Sequence, residues 1–140
     1  MSRKKEEEES HDKAVIDISK ERFSFPNSSH PDWKTFTNPN GEQNKGIKKN
    51  QETAYPDIVV VDTGKNVAVM IGEVETESTV NDAETEQWKE YSSLCSTFYL
   101  YVPEGYGAEA KRILDSKKIA YSGVRTYAYN SKGDIVITNI

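Results

Sequence analysis

This sequence has almost no sulfur chemistry to offer. Its 140 residues hold one cysteine, Cys95, which excludes a disulfide framework and a cysteine-based zinc site within the chain. The two histidines, His11 and His30, stand well apart, which argues against a His-rich metal site. No apolar run approaches the ~18 residues that cross a bilayer. The charged amino-terminal stretch has no apolar core, so no secretory signal is expected. Apolar residues make up 35% and charged residues 29%, so part of the chain is expected as tail or long loop. These absences leave a reduced, soluble, cytoplasmic protein of one domain as the expectation.

Positive charge is also scarce where it would matter most. Net charge is -5, which argues against a protein that coats DNA. Residues 66–104 carry a single basic group, Lys89, against eight acidic ones, whereas residues 105–140 carry six basic and three acidic groups. An acidic focus inside a folded segment points to a cation site.

Residues 1–9 have no apolar side chain beyond Met1 and read as a disordered lead-in, leaving residues 10–140 as the domain. Val15 and Ile18 predict a short first helix within residues 10–22, ended by Pro26 and Pro31. A strand is expected over Trp33–Thr37. Asn38-Pro39-Asn40-Gly41 is a dense turn signal, and the polar segment Glu42–Thr53 reads as a long mobile loop. Ile58–Val61 and Val67–Ile71 are β-branched runs around a Gly-containing turn, a hairpin apolar on both faces. A helix is expected over Asp82–Leu94, with Asn81 as its cap and Glu84 at the capping-box position. Then follow a strand over Thr97–Val102, a helix over Tyr106–Lys118 and a hairpin of Val124–Tyr129 with Asp134–Thr138. The fold class is α/β, a mixed sheet with flanking helices.

The hairpin carries the chemistry. If the loop is three residues, Gly64–Asn66, Thr63 pairs with Val67 and Asp57 lies opposite Glu73; a two- or four-residue loop shifts this by one position only. Cross-strand neighbours stand about 4.5–5.5 Å apart, and like charges there destabilise a sheet. Glu75 shares the face of Glu73, being two positions on. Three carboxylates on one side of two apolar strands call for a cation, and Mg²⁺ or Mn²⁺ suits an all-oxygen donor set. The bland alternative is a frayed hairpin end with solvated carboxylates. In the following helix Gln87 interrupts the stripe of Val80, Ala83, Tyr91 and Leu94. It either faces the sheet and positions water or phosphate, or sits half-solvated at the stripe edge. Lys89 points elsewhere and reads as solvent-exposed.

Tyr55-Pro56-Asp57, then Glu73-Val74-Glu75, then a helix bearing Gln87 and Tyr91, resembles the PD-(D/E)xK nuclease superfamily, in particular its RecB-type and Cas4-type exonucleases. The resemblance covers residues 10–103. It implies a restriction-endonuclease-like αβββαβ core, here with an added helix and a C-terminal hairpin. It also implies a Mg²⁺- or Mn²⁺-dependent nuclease acting on nucleic acid, with DNA as the substrate. Asp57 and Glu73 would hold the metal with the Val74 carbonyl as a further ligand, and Gln87 and Tyr91 would support the site or contact nucleic acid. Glu75 stands where the family has lysine; it cannot supply positive charge but can act as general base or ligand. Lys89 and the loop lysines Lys45, Lys48 and Lys49 are candidates for a relocated cation. The loop, with Lys111, Arg112, Lys117, Lys118 and Arg125, is the expected phosphate-contacting rim, with a steep salt dependence. The alternative is a nuclease fold without turnover, acting as a nucleic-acid-binding or accessory module. A homodimer is the assembly considered.

Overall fold

A computed structural model of the chain describes residues 4–49 and 51–140. Helix α1 (Lys5–Arg22) opens with Glu6, Glu7 and Glu8 and closes with Lys20 and Arg22, the charge order that the helix dipole favours. His11, Ala14, Val15 and Ile18 fall at i, i+3, i+4 and i+7 and form its buried stripe. Residues 5–9 are therefore helical, not a disordered lead-in; residues 1–3 lie outside the described residues. Acidic side chains complementing the dipole, and a Ser78 hydroxyl bonded to Glu7, support this first turn, which has no apolar residue for periodicity to register.

The strands are β1 (Trp33–Thr37), β2 (Ile47–Lys49), β3 (Glu52–Ala54), β4 (Ile58–Asp62), β5 (Val67–Val74), β6 (Phe98–Pro103), β7 (Gly123–Tyr129) and β8 (Ile135–Asn139). Helix α2 (Thr85–Ser92) joins β5 to β6, and α3 (Gly107–Ser116) joins β6 to β7. Six strands make one mixed sheet in the order β1-β4-β5-β6-β7-β8, with β5, β6 and β7 parallel and the other neighbours antiparallel. One core lies between the sheet and α1, built on Ile18, Phe23, Ile58, Val60, Val74 and Tyr101. The other lies between the sheet and α2 with α3, built on Ile71, Trp88, Leu100, Ile113 and Leu114. The mixed α/β class is as the sequence predicts, and so is the element order apart from β2 and β3.

The β4–β5 turn holds four residues rather than three. Asp62 Oδ1 accepts from the amides of Gly64 and Lys65, and Asn66 takes a left-handed φ of 57°. The pairing starts one position off the expected register, with Asp62 against Val67 and Val61 against Ala68. A bulge then leaves Val69 without a partner, and the register from Val60–Met70 to Ile58–Gly72 is the one that brings Asp57 across from Glu73.

The segment expected as a mobile loop is a small hairpin. β2 and β3 pair from Ile47–Ala54 to Lys49–Glu52, and Ile47 and Ala54 pack on the α2-side core. Three-residue strands with one apolar anchor each leave no periodicity to read. The hairpin is tied down by buried Asn38, whose Nδ2 donates to the carbonyls of Lys45 (2.9 Å) and Pro56 (2.7 Å) and whose Oδ1 accepts from the Lys45 amide (2.9 Å). At the far side, Arg22 donates to the Ile137 carbonyl and to Asn139 Oδ1 on the outermost strand, β8. Among the described residues no helix is long and apolar enough to cross a membrane.

Asn38→Ala is expected to destabilise the fold by about 2 kcal/mol, since it strands a buried carbonyl at Pro56. Urea unfolding measures this; an unchanged midpoint would show that the hairpin docks without Asn38.

Candidate active site

β4 starts and β5 ends at the same edge of the sheet, because the two run antiparallel. The carboxyl ends of β5 and β6 meet there, the position where open α/β sheets bind ligands. Asp57 precedes the first residue of β4, and Glu73 lies one residue before the end of β5. The Asp57 amide donates to Glu73 Oε1 at 3.1 Å. Asp57 Oδ2 in turn accepts from the Val74 amide at 2.8 Å. Its backbone carbonyl accepts from the Asn38 amide at 3.0 Å. The Glu75 amide bonds the Tyr101 carbonyl on β6, so strand alternation turns the amide and carbonyl of Val74 toward the β4 side, next to Asp57.

The two side chains form an acid pair. Glu73 is almost fully buried, and its carboxyl is held well above the usual range by burial first, then by the charges of Asp57 and Glu75. A hydrogen bond from the Asp57 amide works against this and lowers it. Tyr91, also buried, is pushed up by burial and by the charges of Glu73 and Asp57.

α1 contributes a residue that sequence reasoning missed. His11 Nε2 stands 3.1 Å from Asp57 Oδ2, and its Nδ1 stands 3.1 Å from Asp12 Oδ1. Both ring nitrogens thus face carboxylate oxygen. The sequence signal was a histidine one helical turn before Val15, on the stripe that packs on the sheet.

Glu75 stays close enough to Glu73 for its charge to raise that carboxyl, as expected, but its side chain is engaged by α2. It has no exposed surface, and its Oε2 accepts from the Trp88 indole at 2.7 Å. Its carbonyl accepts from the Tyr127 hydroxyl at 2.6 Å. The three carboxylates do not open as one ligand set: among the described residues no group of three or more His, Cys, Asp and Glu is arranged to hold a metal ion. The site proper is the Asp57–Glu73 pair with His11.

Trp88 takes the sheet-facing place that the stripe gave to Gln87. Two short 3₁₀ turns, Glu77–Thr79 and Asp82–Glu84, precede α2, and their tighter winding breaks the 3.6-residue count from Val80. Asn81 does accept from the Ala83 amide, as expected of a cap, but the capping box belongs to Thr76 and Thr79. Gln87 is exposed; its Nε2 donates to the Tyr91 hydroxyl at 3.2 Å, so it reaches the acid pair only through Tyr91. Tyr91 is buried and backs the site rather than presenting a surface.

The expected basic rim is not one surface. Lys111, Arg112, Lys117 and Lys118 belong to α3 and its end, where Arg112 is paired with Glu109. Arg125 lies on the α1 side of the sheet, over the Tyr99 ring and bonded to the Tyr101 hydroxyl. Lys45 precedes β2 and Lys48 lies within it, Lys49 donates to Ser93 Oγ beside α2, and Lys89 is exposed.

Comparisons with protein-family models, with curated proteins and with solved structures find no match to this chain.

Because the Glu73 pKa is raised in the folded state, the folded chain keeps a proton that the unfolded chain has lost. Metal-free stability should therefore fall as pH rises past the ordinary glutamate value of 4.5 toward the raised one. Glu73→Gln, which carries no titrating proton, should flatten that decline in melting temperature; an identical pH profile would remove Glu73 as its source. Trp88→Phe leaves Glu75 Oε2 without its indole donor and is expected to cost about 1–3 kcal/mol in urea unfolding. Wild-type stability in this variant would show that the bond is dispensable.

Proposed function

We propose that this chain is a divalent-metal-dependent nuclease of the PD-(D/E)xK type, hydrolysing phosphodiester bonds of DNA in a reduced, cytoplasmic setting. The observation that carries the reading is the acid pair of Asp57 and Glu73, joined across two neighbouring strands at the open edge of the sheet. The helix, three strands, helix and strand around it support the same reading.

The donor chemistry fits the group this family implies. Mg²⁺ is commonly held by one or two carboxylates, with water and substrate phosphate completing its shell. Asp57, Glu73 and the Val74 carbonyl are hard oxygen donors on one edge, and the burial-raised Glu73 is a carboxyl that a cation would neutralise in place of its proton. Bound there, Mg²⁺ or Mn²⁺ supplies polarisation of the phosphate and a water of lowered pKa.

The chain's own residues divide the remaining work. The Val74 amide and His11 Nε2 both hold Asp57 Oδ2, which fixes the rotamer of that carboxylate. His11 Nε2 is also the nitrogen at the pair that can carry a proton. Tyr91 closes the α2 side against water, with its hydroxyl bonded by Gln87. Glu75 accepts from Trp88 behind the pair, and its charge helps to raise the Glu73 carboxyl.

A second reading has its own observation. The position that carries lysine in the resembled motif is a fully buried glutamate spoken for by an indole, so no lysine stands beside Glu73 on that strand. On that reading the fold binds metal and nucleic acid without turnover.

The test is cleavage of plasmid, single-stranded and duplex DNA and RNA with Mg²⁺ and with Mn²⁺. Asp57→Asn is expected to lose activity by about 10²-fold or more, the scale of a site-defining polar group. Cleavage at the wild-type rate in Asp57→Asn would place the chemistry elsewhere. A divalent cation that raises the melting temperature of the wild type but not of Asp57→Asn, with no cleavage of any substrate, would favour the second reading.

A further inference from the structure

α2 and α3 cover the sheet over β5, β6 and β7, and Ile47 and Ala54 of the β2–β3 hairpin pack against the same core. Between that hairpin and the turn end of β4–β5 runs a groove of about 550 Å³. Lys45, Ile47 and Lys48 form one wall, and Val67, Ala68 and Leu94 line the opposite side. No carboxylate lines it, although the chain as a whole carries a net charge of -5. Val67 offers an exposed apolar surface there, at 49% of its full accessibility.

The hairpin wall is fixed in place. Asn38 bonds both the amide and the carbonyl of Lys45. Next to it Gly46 lies so close to its neighbours that an added Cβ would come within 2.3 Å of Thr53 Cγ2 and 2.8 Å of Tyr55 Cε1. The Lys45 ammonium sits 5.8 Å from the Phe36 ring centre, and Lys34 sits 5.1 Å from the same ring, so a third cation adjoins this wall.

We propose that this groove is a strand-holding subsite for an unpaired segment of nucleic acid, with Lys45 and Lys48 on its phosphates and Ile47, Val67 and Leu94 against a base. The inference rests on the nuclease reading above and extends it to the form of the substrate. Three physical arguments carry it. The charge of the groove is opposite to that of the chain and complementary to phosphate. The volume falls in the ~300–1,000 Å³ range of small-ligand sites, which suits a nucleotide unit and not a duplex. Position is the third: Val61, which lines the groove, is four strand residues from Asp57, about 13 Å at the usual rise, so the groove and the acid pair lie within the span of one short oligonucleotide. The lining is aliphatic and offers no directed hydrogen-bond code, so binding should tolerate any base.

The experiment is fluorescence anisotropy with a labelled oligothymidylate and a duplex of the same length, in EDTA, against salt. The single strand should bind more tightly than the duplex. Lys45→Gln with Lys48→Gln should weaken it about tenfold at low salt and reduce the salt slope by about 1.4, two contacts at about 0.7 each. Val67→Asp, at an exposed position, should weaken binding as well, and circular dichroism of each variant reports its folding. Lys20→Gln with Lys132→Gln, both exposed and outside the groove lining, should leave binding unchanged. Equal losses from both lysine pairs, no loss from the groove pair, preference for duplex, or absence of binding would each overturn the proposal. So would polyglutamate competing as well as the oligonucleotide, which would assign the groove to an acidic peptide. Cleavage assays separate the two readings. Metal-free binding that depends on the groove lysines, without cleavage, retires the nuclease and keeps the subsite. Cleavage with an unchanged KM in the groove variant retires the subsite and keeps the nuclease.

Discussion

Asp57 is placed where a strand stops short. β4 begins at Ile58, so the Val74 amide on β5 has no backbone partner on that side, and the Asp57 carboxylate takes its hydrogen bond. That one substitution of side chain for backbone does three things. It turns the carboxylate inward against a neighbouring glutamate instead of outward into water. It gives His11, arriving from the helix below, an oxygen to meet. And it leaves the sheet edge open, with an acid pair where a longer strand would have closed it. The repulsion that a sheet normally avoids is eased here by backbone amides directed at both carboxylates.

The surrounding parts follow from keeping that edge in place. Asn38 gathers the carbonyls of Lys45 and Pro56 with its side chain and bonds the Asp57 carbonyl with its backbone amide, so the residue before the site, the site and the hairpin are set by one buried residue. On the other face Trp88 and Tyr91 fill the space between sheet and α2, one answering Glu75 and the other facing the acid pair. No buried side-chain nitrogen or oxygen among the described residues lacks a hydrogen-bond partner. A polar site of this density is tolerated because its members satisfy one another.

Much of this was written in the chain at the level of pattern. The β-branched runs at Ile58–Val61 and Val67–Ile71 fix strand identity because both faces are covered, and the facing of Asp57 and Glu73 follows from pairing them. Even so, the expected three-residue loop was the wrong route to the right register: a four-residue turn and the bulge at Val69 cancel each other, and a bulge has no signature in a run of apolar residues. The β2–β3 hairpin was illegible for want of apolar alternation. Gln87 and Trp88 exchanged roles because 3₁₀ turns do not keep an α-helical count. His11 lies inside the expected first helix, but its part in the site depends on a contact with Asp57 across a large stretch of sequence, which local reading does not reach.

The Arg22 guanidinium at the opposite side of the sheet has a consequence of another kind. In the β7–β8 ladder Ile140 bonds Val124, so the residues opposite one another at Tyr127 and Ile137 turn their backbone groups away from each other. The Ile137 carbonyl therefore points outward along the free margin of β8, and Arg22 sits on it while also holding Asn139. β8 itself, Ile-Val-Ile-Thr-Asn, contains no charged residue and no proline that would discourage a foreign strand from adding to it. The end of α1 supplies that deterrent instead. Any chain that tried to template on this margin would have to displace a cation from a carbonyl first, so the helix that carries His11 to the site also guards the sheet against runaway self-association.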